Sequence, residues 1–437
     1  MILTICVLFL VIIGLLLIIL IKPSIEIKGH KIDIFYIPPL IGAIVLLVFK
    51  AVPLKTVVDL FTSSSSVNPI KVLILFISIS MLSISLDELG FFKMLASKTI
   101  EKCKNNQYSL FFALYILISF LTIFTSNDIV ILTFTPFICY FSKNAKINPI
   151  PFLVMEFVNA NTYSMLLSIG NPTNIYLSQY FNISFVSYLK SMAIPTIFSG
   201  IVSFIVLLLI FNKDLKKPME TLKVEQYHIK HKALVIISLV HLIVTTILLV
   251  ISNYINLQIW LICLVSACSL SVILLIYLFV NKKERIILGV YKRLPYSLIP
   301  FVLSMFIIVL AVDYNGILIK SLDLVSKFLT TKENTAISFL LASTLIDNLI
   351  NNIPMSVLFS GILKNVSEFQ NVAIYSTIIG SNIGAYLTPI GALAGIMWMS
   401  LLKKYDVKFN FSDFVKYGII IVPCVLIASF LGIIIVF

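Results

Sequence analysis

Charge is scarce in this chain. Only 12% of its 437 residues are Asp, Glu, Lys or Arg, against about a quarter in an average soluble domain, and 60% are apolar, for a mean hydropathy of +1.09. That composition excludes an ordinary soluble fold and implies a polytopic helical membrane protein. Alternation of apolar with polar residues is missing too, which excludes a membrane β-barrel. A bilayer core of about 30 Å takes roughly 20 apolar residues per helix, so the length allows about ten spans.

Metal-ligating and catalytic signatures are also missing. The four histidines and six cysteines form no C-x-x-C pair and no cluster at ligand spacing. Cys6, Cys103, Cys139, Cys263, Cys268 and Cys424 therefore read as small apolar fillers, with Cys139 the one placed where a thiol-seeking substrate would meet it. No HExxH, nucleophile elbow or Walker motif occurs, so the expectation is no enzyme and no cofactor beyond a bound sodium ion. An aspartyl protease is set aside because Asp128 and Asp347 lack the Tyr-Asp and Gly-x-Gly-Asp settings of its proton-sharing dyad. The net charge of +13 does not signal nucleic acid, since the basic residues sit in short loops between apolar runs without interleaved aromatics. Residues 2 to 21 lack the basic start and cleavage site of a signal peptide and read as a first span.

What is present is a pattern stated twice. Thr125-Ser126-Asn127-Asp128, Pro136 and Gly170-Asn171-Pro172-Thr173-Asn174 in one half are answered by Thr344, Asp347-Asn348, Asn351-Asn352-Ile353-Pro354, Gly380-Ser381-Asn382 and Thr388-Pro389-Ile390-Gly391 in the other. Pro136 to Pro172 is 36 residues and Pro354 to Pro389 is 35. Paired, Gly/Pro-broken polar segments at corresponding places in two halves point to a transporter's binding site. They also argue against a passive channel.

Spans are expected at 2–21, 33–50 and 68–87, followed by a re-entrant hairpin at 108–141, a broken span at 151–181 and a span at 184–212. The second half is expected to hold spans at 232–252, 256–281 and 297–318, a hairpin at 334–366, a broken span at 370–402 and a span at 413–436. The expected fold is thus all-α and polytopic, with two halves, 1–212 and 232–437, each of five transmembrane spans plus one hairpin, joined by a cytoplasmic linker at 213–231. With the N-terminus outside, 24 of the 32 basic residues fall on inside loops, including Lys93, Lys223, the run Lys282-Lys283-Glu284-Arg285, Arg293 and Lys404. Both termini are then outside the cell membrane. Five spans per half, an odd number, invert the second half against the first, and both hairpin tips meet the helix breaks near the midplane.

The candidate binding residues are those at the breaks: Ser126, Asn127, Asp128, Gly170, Asn171, Pro172, Thr173, Asn174, Asp347, Asn348, Asn351, Asn352, Ser381, Asn382, Thr388 and Pro389. Pro172 lacks an N–H and disfavours helix at Asn171, so freed amides favour an anion while freed carbonyls and Asn or Thr oxygens can hold a cation. Sodium is expected at Asn127, Asn171, Asn348 and Asn382. Asp128 and Asp347 read as equivalent tip carboxylates facing a cavity, as ion ligands or proton relays, with Glu156 a third candidate. The alternative for each Asp is a helix cap.

Ser85-Leu86-Asp87-Glu88-Leu89-Gly90-Phe91-Phe92, Ser126-Asn127-Asp128 with Thr133-Phe134-Thr135-Pro136, Asn351-Asn352-Ile353-Pro354, and Leu387-Thr388-Pro389-Ile390-Gly391-Ala392-Leu393-Ala394 through Trp398 resemble the arsenite-efflux permeases of the ArsB type. The resemblance runs over almost the whole chain and extends to the wider ion transporter superfamily. It implies a homodimer in membrane lipid, a transport domain that carries both hairpins as an elevator, and a metalloid such as arsenite or antimonite coupled to a proton or sodium gradient. A separate ATPase subunit belongs among the implied partners. The segment Ser168-Ile169-Gly170-Asn171-Pro172-Thr173-Asn174 departs from that pattern and is more similar to the sodium-coupled divalent-anion symporters of the same superfamily. Dicarboxylate, phosphate or sulfate symport, or sodium/proton antiport, is therefore the alternative.

Overall fold

Apolar runs of this length fold as helices because a backbone at membrane depth finds hydrogen-bond partners only within its own segment. The computed structural model describes residues 1–437 apart from 22–23, 28–29, 64–67, 104–105, 220–228, 253, 281–285 and 318–328. Most of the linker expected at 213–231, Lys223 included, and the run Lys282-Lys283-Glu284-Arg285 lie outside the described residues.

The described residues form nineteen helices and one short β-hairpin. In chain order they are α1 (Ile2–Ile21), β1 (Ser24–Ile27), β2 (His30–Asp33), α2 (Ile37–Val48), α3 (Leu54–Thr62), α4 (Pro69–Glu88), α5 (Phe91–Lys102), α6 (Gln107–Phe124), α7 (Asn127–Asn144), α8 (Ile150–Tyr163), α9 (Pro172–Tyr180) and α10 (Phe185–Leu215). There follow α11 (Lys232–Ile251), α12 (Ile259–Val280), α13 (Ile286–Lys292), α14 (Leu298–Tyr314), α15 (Lys332–Ile350), α16 (Asn352–Leu363), α17 (Gln370–Gly384), α18 (Leu393–Lys404) and α19 (Phe411–Val436). The strands β1 and β2 are antiparallel, with Ser24 opposite Asp33 and Ile27 opposite His30.

By length and composition, six of these helices can cross a membrane: α4, α6, α10, α11, α12 and α19. The span expected at 33–50 is a departure. Only the twelve residues of α2 are helical there, and at 1.5 Å per residue they reach about 18 Å, short of a bilayer core. The cause is local: residue 33 ends a strand, and Pro38 and Pro39 confine the helix start to Ile37.

The helices sort into two packed groups. In one, α2 packs on α1 and α14, and α4 packs on α11, α12, α13 and α14. In the other, α8 packs on α6, α7 and α10; α15 packs on α17; α10 packs on α19; and α7 packs on α18. The groups meet where α14 touches α16 and where α4 touches α7 and α9. Helices α15 and α17 pack tightly against each other. A methyl on Gly380 would fall on Ser343 Oγ and 2.6 Å from the Leu340 carbonyl, so only glycine admits that crossing. Outward faces are apolar, as Ile197, Ile201, Ile205 and Leu209 on α10 and Ile236, Val240, Ile243 and Ile247 on α11 show; at three- and four-residue spacing these make continuous stripes suited to lipid.

Candidate functional site

Each hairpin tip is tied to a helix break by the same bond. Between α6 and α7, Thr125 and Ser126 are extended, and the first amide of α7, that of Asn127, donates to the Gly170 carbonyl at 3.3 Å. Between α15 and α16 a single residue, Asn351, makes the turn with φ of 75°, and the Asn352 amide donates to the Gly391 carbonyl at 3.1 Å. Both carbonyls are freed by breaks in long apolar segments, at 164–171 between α8 and α9 and at 385–392 between α17 and α18. The register this sets pairs Asn127 with Asn352 and Gly170 with Gly391.

That register corrects two sequence expectations. Asp128 is the second residue of α7, past its tip, whereas Asp347 lies in the last turn of α15, before its tip. The two carboxylates are therefore not equivalent; Ile353 stands where Asp128 would be matched. The equal proline spacing is a coincidence of unequal pieces: Pro136 is deep inside α7 and Pro354 near the start of α16, while Pro172 begins α9 and Pro389 lies within a break.

Hydrogen bonds gather the candidate asparagines into two clusters rather than one ring. In the first, Asn382 Oδ1 accepts from Asn171 Nδ2 (3.1 Å) and Ser164 Oγ (3.0 Å), and its Nδ2 donates to Asn174 Oδ1 and the Ile378 carbonyl (2.8 Å each). Asn171 caps α9 by accepting from the Thr173 amide, Ser381 Oγ donates to Thr173 Oγ1, and Asn127 Nδ2 donates to Asn161 Oδ1 at 2.9 Å. All of these side chains are buried. In the second cluster, Asn348 Oδ1 accepts from the Thr388 amide (3.0 Å) and hydroxyl (2.7 Å), its Nδ2 donates to the Gly384 carbonyl, and Asn351 Nδ2 donates to the Ile390 carbonyl.

These bonds bear on where a cation can sit. The Oδ1 atoms of Asn171, Asn348 and Asn382 each already accept at least one short bond, and that of Asn127 faces Ser126 Oγ at 3.5 Å. Of the candidate residues' buried oxygens, those without a hydrogen-bond partner among the described residues are instead Asp347 Oδ1 and Oδ2 and Asn351 Oδ1. For a cation or proton those three oxygens keep all their acceptor capacity, while Asn127 and Asn171 keep part of theirs and Asn348 and Asn382 accept two bonds each.

Asp128 and Ser126 line the wall of a cavity of about 490 Å³ between the two helix groups. One wall is Phe76, Ser80 and Ile84 of α4 with residues 292–298; the other is Asp128, Ile129 and Leu132 of α7 with Leu393, Ile396, Met397 and Ser400 of α18. Asp128 is half-buried, and α7 has no side-chain cap. Arg293 on the facing wall is held by Asp87 at 2.6 Å and Glu88 at 2.7 Å.

Sequence reasoning passed over Asn159, Asn161, Ser164 and Tyr386. All are buried, and Asn159 donates to the Tyr115 carbonyl at 2.6 Å. The signal was available: Asn161 stands nine residues before Gly170, as Asn382 stands nine before Gly391.

The chain matches the model of a family described as citrate transporter over residues 15–377. A Bacillus subtilis protein provisionally named an arsenical pump membrane protein is 24% identical over 415 residues, covering 89% of this chain and 91% of its own length. An arsenical pump membrane protein of Escherichia coli K12 is 25% identical over 378 residues, covering 81% and 83%. In three dimensions the chain is similar to the crystal structure of the Alcanivorax borkumensis YdaH transporter, with a TM-score of 0.61, 12% identity and coverage of 99% and 98% of the two chains; that likeness is one of fold.

Proposed function

Because this chain belongs to the citrate transporter family and is a multi-pass membrane transporter, we propose that it extrudes an arsenite- or antimonite-type metalloid in exchange for an ion moving down its gradient. The cavity of about 490 Å³ between the helix groups carries this reading. Its wall offers a carboxylate, Asp128, and a guanidinium whose charge is taken up by Asp87 and Glu88. Beyond Lys292 there is little to attract a multiply charged anion, and Asp128 opposes one. Arsenous acid, uncharged at neutral pH, meets no such penalty. The arsenical pump names of the relatives point the same way.

In this reading the helices with both hairpins move as one transport domain against the group of α1, α2, α4 and α11–α14, within a homodimer of inverted-repeat protomers whose termini are outside. The cavity is then the cytoplasmic vestibule, and Asp128 binds the coupling ion. The test is solute uptake into everted vesicles with arsenite, antimonite, phosphate and dicarboxylates under imposed proton or sodium gradients. Arsenite accumulation driven by a proton gradient is expected. Its absence, with sodium-driven movement of a dicarboxylate, would replace the reading with anion symport, which the Gly170-Asn171-Pro172-Thr173-Asn174 break and the family's citrate transporter description favour.

A further inference from the structure

A second carboxyl group lies one helix layer behind the cavity wall. Glu156 on α8 is fully buried, and both its oxygens stand 3.1 Å from Thr135 Oγ1 on α7. The same hydroxyl lies 2.7 Å from the carbonyl of Ile131, one turn back. A hydroxyl has one proton and two lone pairs. The short back-bond to the helix carbonyl uses the proton, so the carboxyl faces lone pairs. A carboxylate there would set acceptor against acceptor, whereas a carboxylic acid supplies the missing O–H.

The surroundings agree. The Cys139 thiol of α7 lies close enough to interact with the Glu156 carboxyl. Of the other helices packed on α8, α6 and α17 contain no charged residue, and those of α10 (Lys190, Lys213 and Asp214) sit near its ends. On α7, Asp128 is two turns from Thr135 and Lys143 is exposed; on α18, Lys403 and Lys404 are exposed. Among the described residues Glu156 has no ion pair. One further donor stands beside it: the buried indole N–H of Trp398 on α18 is close enough to act on the Glu156 carboxyl but makes no hydrogen bond of full geometry.

We propose that Glu156 is a proton-binding site, a neutral acid in the arrangement described, whose loss of the proton exchanges a bond to Thr135 for one to Trp398. In the protonated form the Glu156 O–H donates to Thr135 Oγ1. When the O–H bond breaks and the proton passes to water, the anion accepts from the Trp398 N–H. Thr135 and Trp398 belong to α7 and α18, which pack on each other and both contribute to the cavity wall, α7 through Asp128, two turns before Thr135 on the same face, and α18 through Leu393, Ile396, Met397 and Ser400. Proton occupancy is thereby linked to the position of the wall. That link to transport rests on the transporter reading; the proton site itself does not.

Infrared difference spectra of the purified full chain in hydrogen and deuterium oxide read the site directly. At neutral pH a protonated-carboxyl stretch is expected that disappears in Glu156→Gln and persists in Asp128→Asn and Asp347→Asn. Trp398→Phe removes the donor that stabilises the anion, so the band should survive to higher pH than in the wild type. Glu156→Gln should keep the wild-type melting temperature, because its amide can donate to Thr135, yet lose the pH dependence of transport in proteoliposomes. A band unaltered in Glu156→Gln, or a Trp398→Phe titration that does not move upward, overturns the proposal. So does loss of the band on adding sodium at fixed pH, which would assign the site to that ion. If no solute in the vesicle panel is transported, the band still decides the proton site by itself.

Discussion

At the residue scale, the polar side chains divide by whether the protein already satisfies them. Asn382 is saturated by Ser164, Asn171, Asn174 and Ile378. Asn382→Ala would orphan buried groups on three sides, each worth about 1–3 kcal/mol, so it should lower the melting temperature in detergent as well as weaken transport. Asp128 is the contrasting case, half-buried on a cavity wall. Carrying an ion through a low-dielectric region requires the carboxylate to be neutralised, and Asp128→Asn makes it neutral permanently. Its melting temperature should stay at the wild-type value while transport loses its response to an imposed proton or sodium gradient; an intact response would reduce Asp128 to a helix-start residue. The sequence displayed both residues equally well. Which of them was already bonded depended on the partner helix, and that partner is over 200 positions away.

At the element scale, the breaks were legible because proline and glycine act locally. Pro172 cannot donate an N–H, and the helix before it does end, at Tyr163. Lengths and registers were less so: α2 is shortened by a strand, and the two proline pairs are out of register. The α15/α17 crossing gives a sharp test. Gly380→Ala pushes a methyl into Ser343 Oγ and toward the Leu340 carbonyl, and overpacking of this kind costs about 1–3 kcal/mol. Adding Ser343→Ala should recover part of that loss, leaving the share due to the backbone contact. A double-mutant cycle of melting temperatures measures it, and strict additivity would contradict the geometry.

At the scale of the whole molecule, the charge asymmetry predicts that single cysteines near Lys93 and Lys404 label only after the membrane is permeabilised, in a background without the six native cysteines. External labelling of intact cells at either site would reverse the topology. If the two helix groups move against each other, a flexible bis-maleimide joining Ser80→Cys on α4 to Ser400→Cys on α18, across the cavity, should stop transport. The same reagent between α15 and α17, which pack within one group, should not.

Composition and hydropathy by themselves determined that the chain lives in a membrane as helices, since apolar excess and backbone satisfaction are sums over the chain that need no partner. Proline, acting on adjacent dihedrals, marked some helix starts, as Pro172 does for α9, but Pro136, Pro195 and Pro423 lie inside helices. Only the tertiary structure decided that Asn161 is the partner of Asn127, that Asp347 rather than Asn348 has unspent oxygens, that Asp128 faces a cavity and that Glu156 meets the lone pairs of Thr135. Each of those facts depends on the angle at which one helix crosses another, and crossing angles follow from packing of whole side-chain surfaces, which no local stretch of residues encodes.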